Sequence, residues 1–283
     1  MSIEHISDTA RWVAVYRAME SERPDAIFRD PYARRLAGER GEAIVGEMKR
    51  GRQMAWAMVV RTAVMDEIIL DTIARGGADL VLNLAAGLDA RPWRLALPPT
   101  LRWVDVDYPD ILAYKRETIG DAAPRCEYEA LPADLTDASA RRALFAHIGA
   151  ASQRVLVVSE GLLIYLTADQ VGALAVDLHA QPGFHWWLID LAHPQLLAMM
   201  QKSWGKKVAQ GNAPFRFAPA DGTAFFRTFG WRETQFRSAM DEARRLDREM
   251  PGMWLWRFIA RFHSTKRREV MRRFNGFVLL ERE

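Results

Sequence analysis

A carboxylate follows each of five short apolar runs in this chain. Asn83-Leu-Ala-Ala-Gly87-Leu-Asp89 follows the run Asp79–Leu84, and Asp107 follows Leu101–Val106. Asp134-Leu135 comes after Cys126–Ala130, Glu160-Gly161 after Val155–Val158, and Asp190 after Trp186–Ile189. If the runs are strands of an open parallel sheet, these residues gather at its carboxyl edge, where such sheets bind ligands. The small residues from Ala85 to Gly87 let the backbone approach a bound nucleoside closely, since no Cβ branch blocks it. An acid about 20 positions beyond such a turn suits the two hydroxyls of a ribose, and Asp107 lies at that spacing from Gly87.

The loop discriminates among nucleoside ligands. A pyrophosphate site asks for G-x-G-x-x-G, and here the matching positions are Ala85, Gly87 and Ala90. With two of three glycines absent, a dinucleotide is disfavoured, whereas S-adenosylmethionine carries no phosphate and needs the full glycine pattern less. Arg61 adds a second clue. It falls within the helical stripe of Met54, Met58, Met65 and Ile68, so a guanidinium interrupts an apolar face. A buried Arg needs an anion. Its spacing admits an internal ion pair, for example with Asp89 or Glu160, or a bidentate grip on the carboxylate of an amino-acid ligand.

The remaining acids have ordinary alternatives. Asp107 and Asp134 could cap or turn the chain, Asp89 could cap the helix containing Trp93, and Glu160 could pair with a structural Arg. Asp190 and His193 are where a base would be sought, although a lone His beside Pro194 reads more simply as a satisfied loop residue. No G-x-S-x-G surrounds Ser159, so a hydrolase lacks its nucleophile. No His, Cys and carboxylate spacing suggests a metal.

These residues need a scaffold. The first third reads as helical, ended by Gly76-Gly77. Beyond it, apolar runs alternate with helical stretches, which implies βαβ units and a parallel sheet. A helix starts near Asp89 with Pro92 in its first turn, and another after Thr167, with Gln170 as its capping-box partner. Trp231–Phe236 and Phe277–Leu280 read as strands that break the alternation.

The chain has 283 residues, 49% hydrophobic and 27% charged, with a net charge of +3. That is the balance of an ordinary globular protein. The lone Cys126 excludes internal disulfides and thiolate clusters and fits a cytoplasmic setting. No apolar run approaches the roughly 18 residues of a membrane span, and Met1–Trp12 lacks the apolar core of a signal peptide. Basic residues crowd within Arg261–Arg273. They read as a solvated helix face with Val270 and Met271 turned inward rather than as a nucleic-acid surface. The ten tryptophans, among them Trp186, Trp187, Trp254 and Trp256, read mostly as core.

Five motifs in order, spread over about the first 170 residues, carry a family likeness. They are Arg23-Pro-Asp-Ala-Ile-Phe-Arg-Asp-Pro-Tyr-Ala33, Arg61-Thr-Ala-Val-Met-Asp66, the Val81–Arg91 segment, Val104-Asp-Val-Asp-Tyr-Pro109 with Lys115 and Ala133-Asp-Leu135, and Ser159-Glu-Gly-Leu-Leu-Ile-Tyr-Leu166. The chain resembles the leucine carboxyl methyltransferase family, which includes bacterial O-methyltransferases associated with polyketide biosynthesis. The resemblance implies an α/β class I methyltransferase fold, a Rossmann-like sheet of seven strands with the last antiparallel. It implies one methyltransferase domain, with residues 1–77 as a helical cover and 78–283 as the core. It also implies S-adenosylmethionine as cofactor and a small-molecule methyl acceptor, with no nucleic acid or membrane partner.

Roles follow from the resemblance too. Arg61 would bind the cofactor's carboxylate, and Ala85–Gly87 would pass under its methionine part. Asp107, the acid next to Tyr108-Pro109, would hold the ribose in preference to Asp105. Asp134 and Leu135 would contact the adenine, and Glu160 would sit near the amino group. Ala85 departs from the family's usual glycine. Two rival readings are a catalytically silent protein that keeps the cofactor pocket and an NAD-dependent dehydrogenase.

Overall fold

The computed structural model describes residues 7–47, 51–210, 214–250, 252–253 and 264–283. Seven strands form one sheet in the order β3-β2-β1-β4-β5-β7-β6. The strands are β1 (Leu80–Leu84), β2 (Arg102–Asp107), β3 (Glu127–Pro132), β4 (Val155–Ser159), β5 (Phe184–Ala192), β6 (Trp231–Ser238) and β7 (Asn275–Arg282). β1 to β5 pair in parallel, and β7 runs antiparallel between β5 and β6. The expected sheet is therefore present, and the two late strands belong to it. The strand order reverses at β1, which pairs with both β2 and β4. A ligand crevice opens at such a point, at the carboxyl ends.

The central strands are buried on both faces, as parallel strands are. On β1, Leu80, Leu82 and Leu84 join a core with Phe145 and Ile148 of α6 (Ala138–Ala151) and Val171 and Leu174 of α7 (Ala168–His179). Val81 faces the other way, onto Val60, Val64 and Ile68 of α3 (Ala55–Asp71). Asn83 shares the Val81 face by strand periodicity and is the one polar residue of β1. α7 begins as expected, with Thr167 accepting from Gln170 N–H and Gln170 reaching back to the Thr167 N–H. α3 ends through a π-turn at Thr72–Gly76, with Gly77 left-handed at φ 74°.

α3 is buried almost all round, because it lies between the sheet and α1 (Ser7–Ser21). α1 packs in turn on α2 (Ala33–Glu47), and the two close a third core with Leu88, Trp93 and Ile111. α3 thus packs across one face of the sheet, sharing a core with Val81 of β1, Leu188 of β5 and Phe277 of β7. α4 is a single turn, Arg91–Arg94, with Pro92 in it as expected. α5 (Pro109–Ile119) follows β2, α8 (Pro194–Gln210) follows β5, and the four-residue α9 (Ala224–Arg227) precedes β6. α10 (Ala239–Arg245) and α11 (Thr265–Arg272) lie between β6 and β7.

One expectation is corrected. On α11, Val270 is 41% exposed instead of turned inward, because no element covers that side of the helix among the described residues. Trp254, Trp256 and Arg261 lie outside the described residues.

Trp187, fully buried on β5, packs edge-on against Phe226 and Trp231 and donates to Ser159 Oγ at 3.0 Å. It therefore anchors the last residue of β4, immediately before Glu160. Trp187→Ala would leave a cavity and an unpaired hydroxyl, and should cost about 3–5 kcal/mol, read as a lower urea midpoint.

Candidate functional site

The turn after β1 is held from below by β2. Ala86 N–H donates to Val106 O at 3.1 Å, and Gly87 N–H donates to Asp107 Oδ2 at 2.6 Å. The other oxygen, Oδ1, accepts from Tyr108 N–H at 2.7 Å. Each carboxylate oxygen still has a second lone pair for an incoming hydroxyl. Burial raises the Asp107 pKa above its ordinary value, and the Gly87 and Tyr108 N–H bonds only partly offset that. α1 closes the turn from above, since a Cβ on Gly87 would lie 3.1 Å from Ala10 Cβ. Gly87 has φ 50° and Ala85 has φ 52°. The glycine takes this left-handed region freely, but Ala85 carries a Cβ into it.

Behind the turn runs a ladder of alternating buried charges. Asp190, at the end of β5, accepts from Arg61 Nη1 at 3.1 Å and from Gly161 N–H at 2.7 Å. Arg61 Nε lies 2.9 Å from Glu160 Oε1, but too poorly aligned to count as a hydrogen bond. Glu160 Oε2 pairs with Arg91 Nη1 at 2.8 Å, and the same Nη1 meets Asp89 at 2.7 Å. Arg91 Nε and Arg94 both bond Asp66, at 2.6 to 2.7 Å. A parallel branch joins Lys115 to Asp105 at 2.6 Å, with Tyr128, Trp103 and Asn83 completing the Asp105 carboxylate.

Ionisation follows from this geometry. Burial opposes charge on Arg61, but Glu160 and Asp190 outweigh it and raise its pKa. Burial would likewise raise Glu160, yet Arg91 and Arg61 hold it below the ordinary value. Asp89 is driven lower still, as Arg91, Arg94, Lys115 and Arg17 overcome its burial. Tyr165, half-buried near Arg61, is pushed up to about 12 by desolvation of its hydroxyl.

A cavity of about 1850 Å³ lies over these residues, and Arg61, Ala85, Gly87, Asp107, Asp134, Leu135 and Glu160 all line it. The seven residues singled out in the sequence therefore meet at one place. Asp134 sits at the rim, accepting from Thr136 N–H and Oγ1, with the Tyr108 hydroxyl at 3.4 Å. The internal-pair reading of Arg61 holds for Glu160 but not for Asp89, whose charge partner is Arg91. Asp89 bonds the Arg91 N–H and side chain, while the residue capping α4 is Ala90. His193 stacks on Phe274 and accepts from Gln195 N–H, as a loop residue would. Sequence reading passed over Asp190 as the second partner of Arg61, and over Arg91, Asp66, Arg94 and Tyr165. Arg91 and Asp66 stood inside quoted motifs, and that was their only signal.

Residues 10–178 match the sequence model described as leucine carboxyl methyltransferase, well over half of the chain. The chain belongs to the leucine carboxyl methyltransferase family. It is 37% identical over 183 residues to a candidate S-adenosyl-L-methionine-dependent methyltransferase of Parafrankia sp., covering 61% of this chain and 58% of that protein. A similarly named protein of Streptomyces coelicolor is 36% identical over 183 residues, covering 61% and 64%. The chain thus spans about three fifths of the length of the curated relatives it matches. Among solved structures, a DUF574 family protein of Streptomyces avermitilis superposes with a TM-score of 0.63 at 13% identity, covering 97% of both chains. A candidate methyltransferase of Thermobifida fusca gives 0.59 at 14% identity, covering 100% of this chain and 96% of that one. Identities that low speak for the fold alone, and the fold is that of class I methyltransferases.

Ala85→Gly should stabilise this family member. A left-handed alanine costs about 1–2 kcal/mol, and the added chain entropy of glycine returns roughly 0.5–1 kcal/mol of that. The expected gain of about 0.5–1 kcal/mol would appear as a higher urea midpoint, with no loss of helix signal.

Acidification should uncouple the ladder. The folded pKa values of Glu160 and Asp89 lie below the ordinary 4.5 and 3.8. The stability they contribute is complete above those ordinary values and is lost as pH falls through the folded ones. Asp107, raised, acts in the opposite sense. Asp134, Glu233 and Glu242 are lowered as well, so lowered carboxyls outnumber the raised Asp107. Urea midpoints should therefore fall steadily below pH 4.5, and the slope should be shallower in Glu160→Gln.

Proposed function

We propose that this protein is an S-adenosylmethionine-dependent methyltransferase that methylates an oxygen of a small molecule. The carrying observation is the charge of the cavity wall formed by residues up to Asp190. On it Arg17, Arg61, Arg91 and Arg94 face Asp89, Asp107, Asp134, Glu160 and Asp190. Four cations against five acids leave one net negative charge. S-adenosylmethionine carries a sulfonium, an ammonium and one carboxylate, a net positive charge that complements this wall. A dinucleotide would bring an anionic pyrophosphate to the same surface, and the turn lacks the glycines that would cradle it.

The residues fit the cofactor group by group. Arg61 and Arg91 line the cavity. Arg61 Nε and Arg91 Nη2 are enclosed, so a carboxylate would be met by the positive charge of the guanidiniums rather than by those two atoms. Arg61 would hold the carboxylate and Glu160 the ammonium. Ala85–Gly87 would run under the methionine, Asp107 would bind the ribose, and Asp134 and Leu135 would flank the adenine. When bound, S-adenosylmethionine supplies a methyl group whose bond electrons leave with sulfur as the acceptor oxygen forms the new bond. The chain's own contribution is alignment and exclusion of water. α1, lying over Gly87, and the Tyr165 turn provide that cover.

The acceptor oxygen is best supplied already ionised. No histidine is among the described residues that line the cavity. Glu160 and Asp89 are held low, and Tyr165 is too weak an acid to serve as a base near neutral pH. A carboxylate acceptor needs no base, in keeping with the carboxyl methylation that gives the family its name.

Calorimetric titration with S-adenosylhomocysteine tests the cofactor assignment. Saturable one-to-one binding is expected, and heat only from dilution would sink it. Asp107→Asn should bind roughly tenfold more weakly, because hydrogen bonds to a charged group are worth about 1.5–3 kcal/mol. An unchanged affinity would remove Asp107 from the ribose.

A further inference from the structure

The cavity is larger than one nucleoside needs, since ligand pockets typically span about 300–1,000 Å³ and this one measures about 1850 Å³. Its walls also differ in chemistry. Every acid that lines it lies at or before Asp190 in the chain. Among the described lining residues after Asp190, Lys202, Arg216 and Arg267 are cations and none is an acid. All three are exposed, and none forms an ion pair among the described residues.

The same wall is unusually apolar for an exposed surface. Three large apolar side chains are exposed among the described residues: Val176, Met199 at 59% and Val270 at 41%. The latter two line the cavity, from α8 and α11. Methionine adapts its shape to irregular apolar ligands. This wall is tied to the cofactor end by its backbone. Arg216 N–H donates to Ile164 O at 2.7 Å, and Phe215 stacks on Tyr165 with ring centroids 5.7 Å apart.

We propose that this outer wall is an acceptor subsite for an elongated apolar molecule with an acid group at the end remote from the reacting oxygen. The apolar body lies along Met199 and Val270, and the acid group is held by Lys202, Arg216 and Arg267. Exposed cations beside exposed apolar side chains complement an amphiphilic anion and repel a cation of the same shape. The identification of the wall as the acceptor side rests on the methyltransferase reading, but the binding chemistry does not.

The test uses the full chain and three probes of equal length, kept below their micelle concentrations: dodecanoate, dodecan-1-ol and dodecyltrimethylammonium. Calorimetry should show dodecanoate binding at least about tenfold more tightly than dodecyltrimethylammonium, with dodecan-1-ol between them, and raised salt should weaken only the dodecanoate. The double variant Lys202→Glu/Arg216→Glu should lose about tenfold for dodecanoate while keeping its S-adenosylhomocysteine affinity. Met199→Glu should weaken both dodecanoate and dodecan-1-ol. Equal affinities for the anion and the cation, no dodecanoate binding, or an unchanged affinity in the double variant would overturn the subsite. S-adenosylhomocysteine titrated into the same samples reports on the cofactor separately, so failure of one reading is not mistaken for failure of the other.

Discussion

Compensation of buried charge is the constraint on which this molecule turns. The side chains of Arg61, Arg91 and Arg94 lie behind the carboxyl edge of the sheet, nearly out of reach of water. An isolated guanidinium there would be prohibitively costly. Each is tolerable only because Asp66, Glu160 and Asp190 arrive from α3, β4 and β5 to meet it. Removing any rung would strand a charge, which costs far more than an ordinary surface pair contributes. The elements are therefore held in mutual register by electrostatics as well as by apolar packing. The loop, the helix and the ends of β4 and β5 are thereby tied together.

This arrangement also explains why a binding surface can exist in the interior. The charges of the ladder are paired with one another, yet Arg61, Arg91, Glu160 and Asp190 also line the cavity. The ladder thus fixes the geometry of a charged wall that faces the cavity. Asp107 has the same double character. It fixes the turn by accepting two backbone N–H groups, and its remaining lone pairs face the cavity.

Much of this was legible in the sequence. The alternation of apolar runs and helical stretches placed every strand of the sheet to within a few residues, because fully buried strands such as β1 and β4 leave runs of Val and Leu, broken in β1 only by Asn83. Six of the seven candidate residues follow strand ends, which converge by topology in a parallel sheet, whereas Arg61, on α3, stood out as a charge in an apolar helical stripe. The ladder was largely hidden. Asp190 meets Arg61 across 129 positions and Arg94 meets Asp66 across 28, and no local periodicity encodes such pairings. The left-handed geometry of Ala85 showed only as a departure from the family's glycine. Val270 was misjudged because helical spacing gives the faces of α11 but not which face is covered.

The place of β7 has a consequence for how the chain assembles during synthesis. Among the described residues β6 pairs only with β7, and β7 also closes the edge of β5. A nascent chain emerging from its amino end can complete β1 to β5 and hold that half-sheet open. Until residues 275–282 emerge, the apolar edge of β5, with Trp187 and Ile189 on it, has nothing to pair with. Open strand edges of this kind recruit other strands. The sheet is thus sealed from its middle, by the last strand to be made, and the interval before sealing is when the growing protein is most open to wrong partners.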